Sequence, residues 1–131
     1  HRDLHSFPTR RSSDLVKSLK SIILEGDGAF FSLFGGKYHM QITTSNRGEK
    51  KLYIDAVSNA HLPPNDKLSD DQINKIKSLG FSQTSENEDF ALEIDDPLGQ
   101  IDKVAQTAIQ VFSDVYGVKS NQIELEEPDL D

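Results

Sequence analysis

Histidines and carboxylates are the side chains in this sequence with the clearest capacity for chemistry. Beyond the first fifteen residues the histidines are His39, which alternates with apolar residues, and His61, which precedes a Pro-Pro pair. The two share no metal-ligand spacing. The carboxylates of residues 86–96 lack the alternating ligands and central glycine of a calcium loop. We therefore predict no metal site and no cofactor.

Catalytic motifs are also missing from the sequence. The glycines of Gly26-Asp27-Gly28 and Gly35-Gly36 match neither a phosphate-binding loop nor a dinucleotide fingerprint. No serine lies in a Gly-x-Ser-x-Gly elbow. We predict that the protein is not an enzyme. One alternative stays open, a small ligand-binding domain or enzyme whose site is built around Asp55, His39 and Gln41.

The opening stretch, HRDLHSFPTRRSSDL, imitates a catalytic motif. His1-Arg2-Asp3-Leu4 resembles a protein-kinase catalytic loop, but that loop needs an asparagine five residues after the aspartate, and Pro8 stands there. A DNA string that resembles a short-read sequencing adapter translates into this stretch without a mismatch. We therefore interpret residues 1–15 as a non-native, adapter-derived segment, and the natural N-terminus stays undetermined.

Composition limits the kind of partner. The 131 residues include 22 acidic side chains and 14 Lys or Arg, for a net charge of −8. Nucleic acids and anionic membranes need a basic patch, so both are disfavoured. The acidic charge indicates either a role in solubility or a partner with basic character. The absence of cysteine excludes disulfides and thiolate sites. No apolar run is long enough to span a membrane, and the cytoplasm is the default compartment.

Alternating apolar residues predict three strands near the start of the chain. Residues 29–34 and 38–44 read as a β-hairpin whose two-residue loop is Gly35-Gly36. A turn at residues 46–48 leads to a third strand at residues 51–57. These strands form the beginning of an antiparallel sheet.

The hairpin register predicts which side chains face the core. With a Gly35-Gly36 loop, Leu33 faces Tyr38 and Phe31 faces Met40, so that these side chains share one apolar face. The opposite face carries Phe30, Ser32, Phe34, His39 and Gln41. Two phenylalanines on that face indicate either that further structure covers it or that a partner does.

Two later helices have clear start signals. Ser69 and Gln72 form a capping box at the start of one helix. Asp96 is predicted to cap the last helix, with Pro97 at its first position. The buried stripe of that helix is predicted to begin at Leu98.

The whole chain is predicted to be one α+β domain. A helix at residues 16–24 and short strands at residues 81–83 and 90–94 complete the order α-β-β-β-α-β-β-α. This order predicts an antiparallel sheet with its helices packed on one face. The domain is expected at residues 16–120, followed by a frayed acidic tail at residues 121–131.

Several short motifs follow one another in an order that resembles a known family. They are Tyr38-His39-Met40-Gln41, Ile54-Asp55-Ala56-Val57-Ser58-Asn59, Leu62-Pro63, Leu68-Ser69, Leu79-Gly80-Phe81 and Val115-Tyr116-Gly117-Val118. Together they resemble the TY-Chap domains, the type III secretion chaperone-like and YbjN-like superfamily. The resemblance covers about residues 16–125.

The resemblance implies a non-enzymatic role in binding a protein or a peptide. It implies a chaperone-like or adaptor domain that serves a secretion, toxin or conflict system, and it leaves open a homodimer. The residues predicted to bind the partner are Phe30, Phe34, His39, Gln41, Asp55 and Asn59. A further alternative is an immunity-like protein whose acidic surface masks a basic toxin.

Overall fold

The computed structural model describes residues 8–45 and 50–127, with side chains from residue 12 onward. The predicted turn at residues 46–48 and the last four residues of the acidic tail lie outside the described residues. So do residues 1–7 of the segment interpreted as adapter-derived.

The described residues form an α+β fold, as predicted. The helices are α1 (Pro8–Glu25), α2 (Asp70–Ser78) and α3 (Ile101–Gln110), and the strands are β1 (Phe30–Gly35), β2 (Tyr38–Thr44), β3 (Lys51–Ala56), β4 (Phe90–Asp95) and β5 (Glu124–Glu126). The strands form one antiparallel sheet in the order β4-β3-β2-β1-β5. Helix α3 continues as a π-helical segment, Val111–Tyr116.

The predicted hairpin is present, but its register is shifted by two residues. Phe31 pairs with Ile42 and Leu33 pairs with Met40, whereas a Gly35-Gly36 loop predicts that Phe31 pairs with Met40. The loop is Gly36-Lys37, because Gly35 belongs to β1 and pairs with Tyr38. A shift of two residues keeps every side chain on its predicted face, since the side-chain period of a strand is two.

Gly35 is required for close packing rather than for the turn. A Cβ atom on Gly35 would lie 2.6 Å from Cγ1 of Val118 and 3.2 Å from the ring of Phe112. Gly36 is the residue with the positive φ, 62°, that a glycine at the first position of a two-residue hairpin loop adopts. The two adjacent glycines therefore serve different purposes.

One face of the sheet packs against the helices and forms the core. The fully buried side chains there include Phe31, Leu33 and Met40 of the hairpin and Phe112 after α3. Leu15 of α1 is also fully buried, although it lies in the segment interpreted as adapter-derived. That interpretation stays a prediction, and residues 8–15 belong to α1 in this structure.

Helix α2 begins as its sequence predicts. The Ser69 side chain accepts a hydrogen bond from the Gln72 backbone N–H, and the Gln72 side chain accepts one from the Ser69 N–H. Gly80 follows the helix with φ at 104°. The Gln72 side-chain amide also donates to the carbonyl of Val115 at 2.5 Å, which ties α2 to the segment after α3.

The start of the last helix differs from the prediction. Asp96 makes no capping hydrogen bond; it adopts a left-handed conformation (φ 48°), and a 3₁₀ turn at Pro97–Gln100 precedes α3. Leu98 lies in this turn and is 51% exposed, so it is not part of the buried stripe. Aspartate tolerates the left-handed region better than most residues, which explains why a cap signal and a sharp turn look alike in sequence.

The predicted order α-β-β-β-α-β-β-α is present, but two segments differ in detail from their prediction. Residues 81–83, predicted as a strand, contribute a single bridge between Ser82 and Ala91. The segment predicted to be a frayed tail provides β5, which pairs with β1 through Leu125 and Leu33. Ile123, just before β5, is fully buried. The many glutamates of this segment predict an exposed tail, although Ile123 and Leu125 attach it to the sheet and the core.

Candidate functional site: the outer face of the sheet

The face of the sheet opposite the helices is the best candidate for a functional surface, and we call it the outer face. Strand alternation and register place these side chains on it: Phe30, Ser32, Phe34, His39, Gln41, Thr43, Lys51, Tyr53, Asp55, Ala91, Glu93, Asp95, Glu124 and Glu126. None of them is buried. An antiparallel sheet with one packed and one exposed face is common. Exposure alone is therefore no sign of function, and the case for a binding surface depends on which side chains the outer face carries.

Phe30 and Phe34 lie on the outer face, as the strand alternation predicts. Phe30 is 38% exposed, whereas its neighbour Phe31 is fully buried. Phe34 is partly exposed, and its ring lies 6.2 Å from the ring of His39 on the adjacent strand. Tyr53 adds a third partly exposed aromatic ring. This face therefore offers aromatic surface that the described helices do not cover.

The outer face has a polar middle row between two rows with aromatic rings. The middle row crosses all five strands, in the spatial order Glu126, Ser32, Gln41, Asp55 and Ala91. One flanking row contains Phe34 and His39, and the other contains Phe30, Thr43 and Tyr53. We call this middle row with its flanks the trough. The flanking rows lie about 13 Å apart, because each is two residues along the strand from the middle row.

A cavity of about 370 Å³ lies at the β4 end of the trough and opens to solvent. It is lined by His39, Gln41, Asp55, Thr84, Glu88, Asp89 and Ala91. It thus joins the three residues of the alternative site, Asp55, His39 and Gln41. The loop between Ser82 and Asp89 forms its outer wall, and Thr84 donates a hydrogen bond to the Glu88 carboxylate within that loop.

The cavity is acidic. Burial raises the pKa of Asp55, and the nearby Asp89 carboxylate raises it further. Asp89 is held in place by the backbone N–H of Ser58, at 3.0 Å, and by Nδ1 of His61, at 2.8 Å. Neither Asp55 nor Glu126 has a basic partner among the described residues. A positive charge placed beside Asp55 would therefore be favourable.

Asn59 lies outside the outer face, and its side chain is used within the protein. Its amide donates to the carbonyl of Leu68 at 3.1 Å, and its side-chain oxygen accepts from the Leu68 N–H at 2.6 Å. These two bonds close the loop between β3 and α2. The structure gives Asn59 a loop-closing role, and its side chain is not part of the outer face.

A second cavity, of about 340 Å³, lies at the opposite end of the fold from the Gly36-Lys37 loop. Its lining includes Leu24 and Leu98, which are 79% and 51% exposed, together with Lys50. Sequence periodicity had assigned Leu98 to the core, so this patch was missed.

In the described ranges no group of three histidine or acidic side chains is arranged to hold a metal ion. Within the same ranges, no helix combines the length and apolar character needed to cross a membrane.

Two further features of the site escaped the sequence analysis. Part of the lining of the acidic cavity comes from Thr84, Glu88 and Asp89, in a loop that looks like a plain polar turn in sequence. Glu124 and Glu126 reach the outer face through β5. The alternation of Ile123 and Leu125 with glutamates was the signal that could have revealed this strand.

Comparison with known proteins supports the resemblance found in the sequence. A family model described as TY-Chap3, T3SS (YopN, CesT) and YbjN peptide-binding chaperone 3, matches residues 12–126. The match begins three residues before Leu15 and ends with the last residue of β5. Neither the curated proteins nor the solved structures gave a match. Because the match spans most of the chain, this protein belongs to the TY-Chap3 family of peptide-binding chaperones.

Proposed function

We propose that this domain is a non-enzymatic, chaperone-like adaptor that binds a segment of a protein partner on the outer face of its sheet. The observation that carries the proposal is a sheet face whose side chains all remain accessible although they include Phe30, Phe34 and Tyr53. His39, Gln41 and Asp55 lie beside these rings and supply hydrogen-bonding groups. The family description, a peptide-binding chaperone, supports the same kind of partner.

The expected affinity is modest. Burying three apolar anchors contributes roughly 5–9 kcal/mol, at ~1.5–3 kcal/mol for each side chain. The actual gain is smaller, because Phe30 already has most of its surface covered in the free domain. The loss of translational and rotational freedom on association offsets much of the remainder. We therefore expect dissociation constants in the micromolar range or weaker.

The proposal is tested by selecting random twelve-residue peptides displayed on phage against the immobilised domain. Peptides enriched on the wild type should bind Phe30→Ala and Phe34→Ala variants at least several-fold more weakly. They should bind Leu98→Ala, which changes the second cavity, as well as they bind the wild type. Enriched peptides that bind all four proteins equally would refute the outer face as the site, and so would a selection that enriches nothing.

A second copy of the chain is the competing occupant. Analytical ultracentrifugation of the domain alone distinguishes the two cases. A dimer that dissociates in the Phe34→Ala variant would assign the face to self-association instead of a peptide. A monomer at the concentrations used for selection leaves the face free for another polypeptide.

The acidic cavity is the observation that favours a second candidate function, a small cationic ligand held beside Asp55. Its residues are His39, Gln41 and Asp55, as in the alternative stated from sequence. In that case small amines such as putrescine should compete with selected peptides and bind on their own.

We also propose that the domain serves a secretion, toxin or conflict system. This part of the proposal is supported by the family description alone.

A further inference from the structure

We infer that the trough takes one extended segment laid across the strands, with two basic residues four positions apart and an apolar residue midway between them. This inference rests on the proposed function and specifies the chemistry of the partner. It follows from the carboxylates of Glu126 and Asp55 in the middle row, the distance between them, and the rings on either side.

Acidic groups stand at the β5 end of the middle row and again near its β4 end. Glu126 is at the β5 end, with Glu124 beside it on the same face. Asp55 is the next-to-last residue of the row, beside Ala91, and Glu88 and Asp89 line the adjoining cavity. Among the described residues, the one lysine on the outer face, Lys51, forms an ion pair with Glu93 at 2.9 Å. The face therefore presents negative charge to any ligand, and a basic segment complements it.

The spacing of the basic residues follows from the sheet. From Glu126 to Asp55 the middle row crosses three strand-to-strand intervals, β5 to β1, β1 to β2 and β2 to β3. At about 4.8 Å for each interval, the two carboxylates stand roughly 14 Å apart. An extended chain advances about 13 Å in four residues, and residues four apart point to the same side. Two lysines or arginines at positions i and i+4 therefore match the two carboxylates.

The middle of the segment meets small and polar groups with rings on both sides. Ser32 and Gln41 lie at the centre of the row, and the Gln41 side chain donates to the Thr43 hydroxyl at 3.2 Å, which draws it towards one flank. Phe34 lies on one side of this point and Phe30 on the other. A side chain at position i+2 would enter between the two rings, so an apolar residue is favoured there.

Three synthetic heptapeptides test the spacing, each acetylated and amidated. The first is Gly-Lys-Thr-Leu-Thr-Lys-Gly, which has its lysines at i and i+4. The second, Gly-Lys-Lys-Leu-Thr-Thr-Gly, has the same composition and charge with adjacent lysines. The third replaces both lysines of the first with glutamine. Dissociation constants are measured by NMR titration in 50 mM salt and in 500 mM salt.

The peptide with spaced lysines should bind about two- to five-fold more tightly than the peptide with adjacent lysines, as expected for exposed ion pairs. Its advantage over the neutral peptide should be larger still. This difference should shrink in 500 mM salt. Asp55→Asn and Glu126→Gln should each remove most of it. Asp102→Asn on α3, an exposed residue of the helical layer, removes the same charge elsewhere and should leave it intact.

The outcomes separate this inference from the proposed function. If the three peptides bind equally, and Phe34→Ala weakens all three, the proposed function holds and the inference is overturned. The inference alone also fails if phage-selected peptides bind the outer face while none of the three heptapeptides binds. If neither selected nor designed peptides bind, both are overturned.

Discussion

The adjacent residues Phe30 and Phe31 provide the sharpest test of the two-faced sheet. Phe31 is fully buried among the core side chains, and truncation of such a phenylalanine to alanine costs about 3–5 kcal/mol. Phe30 retains 38% of its exposure. Its truncation therefore loses only part of the ~1.5–3 kcal/mol for full burial, roughly 1–2 kcal/mol. Total stability for a domain is ~5–15 kcal/mol, so Phe31→Ala removes a large share of it.

The two variants are compared by equilibrium urea unfolding at pH 7, monitored by far-ultraviolet circular dichroism. The free energy of unfolding should fall at least about twice as far in Phe31→Ala as in Phe30→Ala, with similar m-values. Phe30→Ala should remain folded and lose affinity for selected peptides. Equal losses of stability in both variants, or a larger loss in Phe30→Ala, would refute the assignment of the faces.

Three other predictions concern single side chains. Burial and the Asp89 carboxylate raise the pKa of Asp55 in the folded protein above the value of 3.8 expected for the unfolded chain. The folded protein therefore binds the Asp55 proton more tightly than the unfolded chain does. The free energy of unfolding falls as the pH rises from 3.8 through the raised pKa. Asp55→Asn should therefore raise the Tm at pH 7 and leave it unchanged near pH 3; a lower Tm at pH 7 would contradict this reasoning. Leu15→Ala should lower the free energy of unfolding by about 2–5 kcal/mol, because Leu15 is fully buried; urea curves that match the wild type would show that the start of α1 does not pack as described. Asn59→Ala should cost about 1–3 kcal/mol through the two bonds to Leu68 without changing peptide affinity, and a change in affinity at equal stability would return Asn59 to the binding surface.

Local signals in the sequence predicted those parts of the fold that depend on neighbouring residues. The capping box of Ser69 and Gln72 is specified by residues three apart, and the structure confirms it. The two faces of the hairpin follow from alternation, which survives a register error of two residues. Gly35 caused that error, because a glycine needed for contact with Val118 looks the same in sequence as a glycine needed for a turn.

The features that sequence reasoning missed depend on contacts between distant segments. Strand β5 forms because Ile123 and Leu125 reach the core, and β1 lies about ninety positions earlier in the chain. The acidic cavity needs the loop at residues 82–89 to fold over Asp55. Contacts between such distant segments are determined by the global topology, for which a single sequence carries little local signal.

The most direct test of the central claim is an NMR map of the domain labelled with ¹⁵N, titrated with the peptide Gly-Lys-Thr-Leu-Thr-Lys-Gly. If the outer face is the binding site, the largest changes in amide chemical shift should occur at Ser32, Gln41 and Asp55. The amides of Leu24 and Leu98, at the second cavity, should not move. Changes concentrated at Leu24 and Leu98, with the outer face unaffected, would contradict the account.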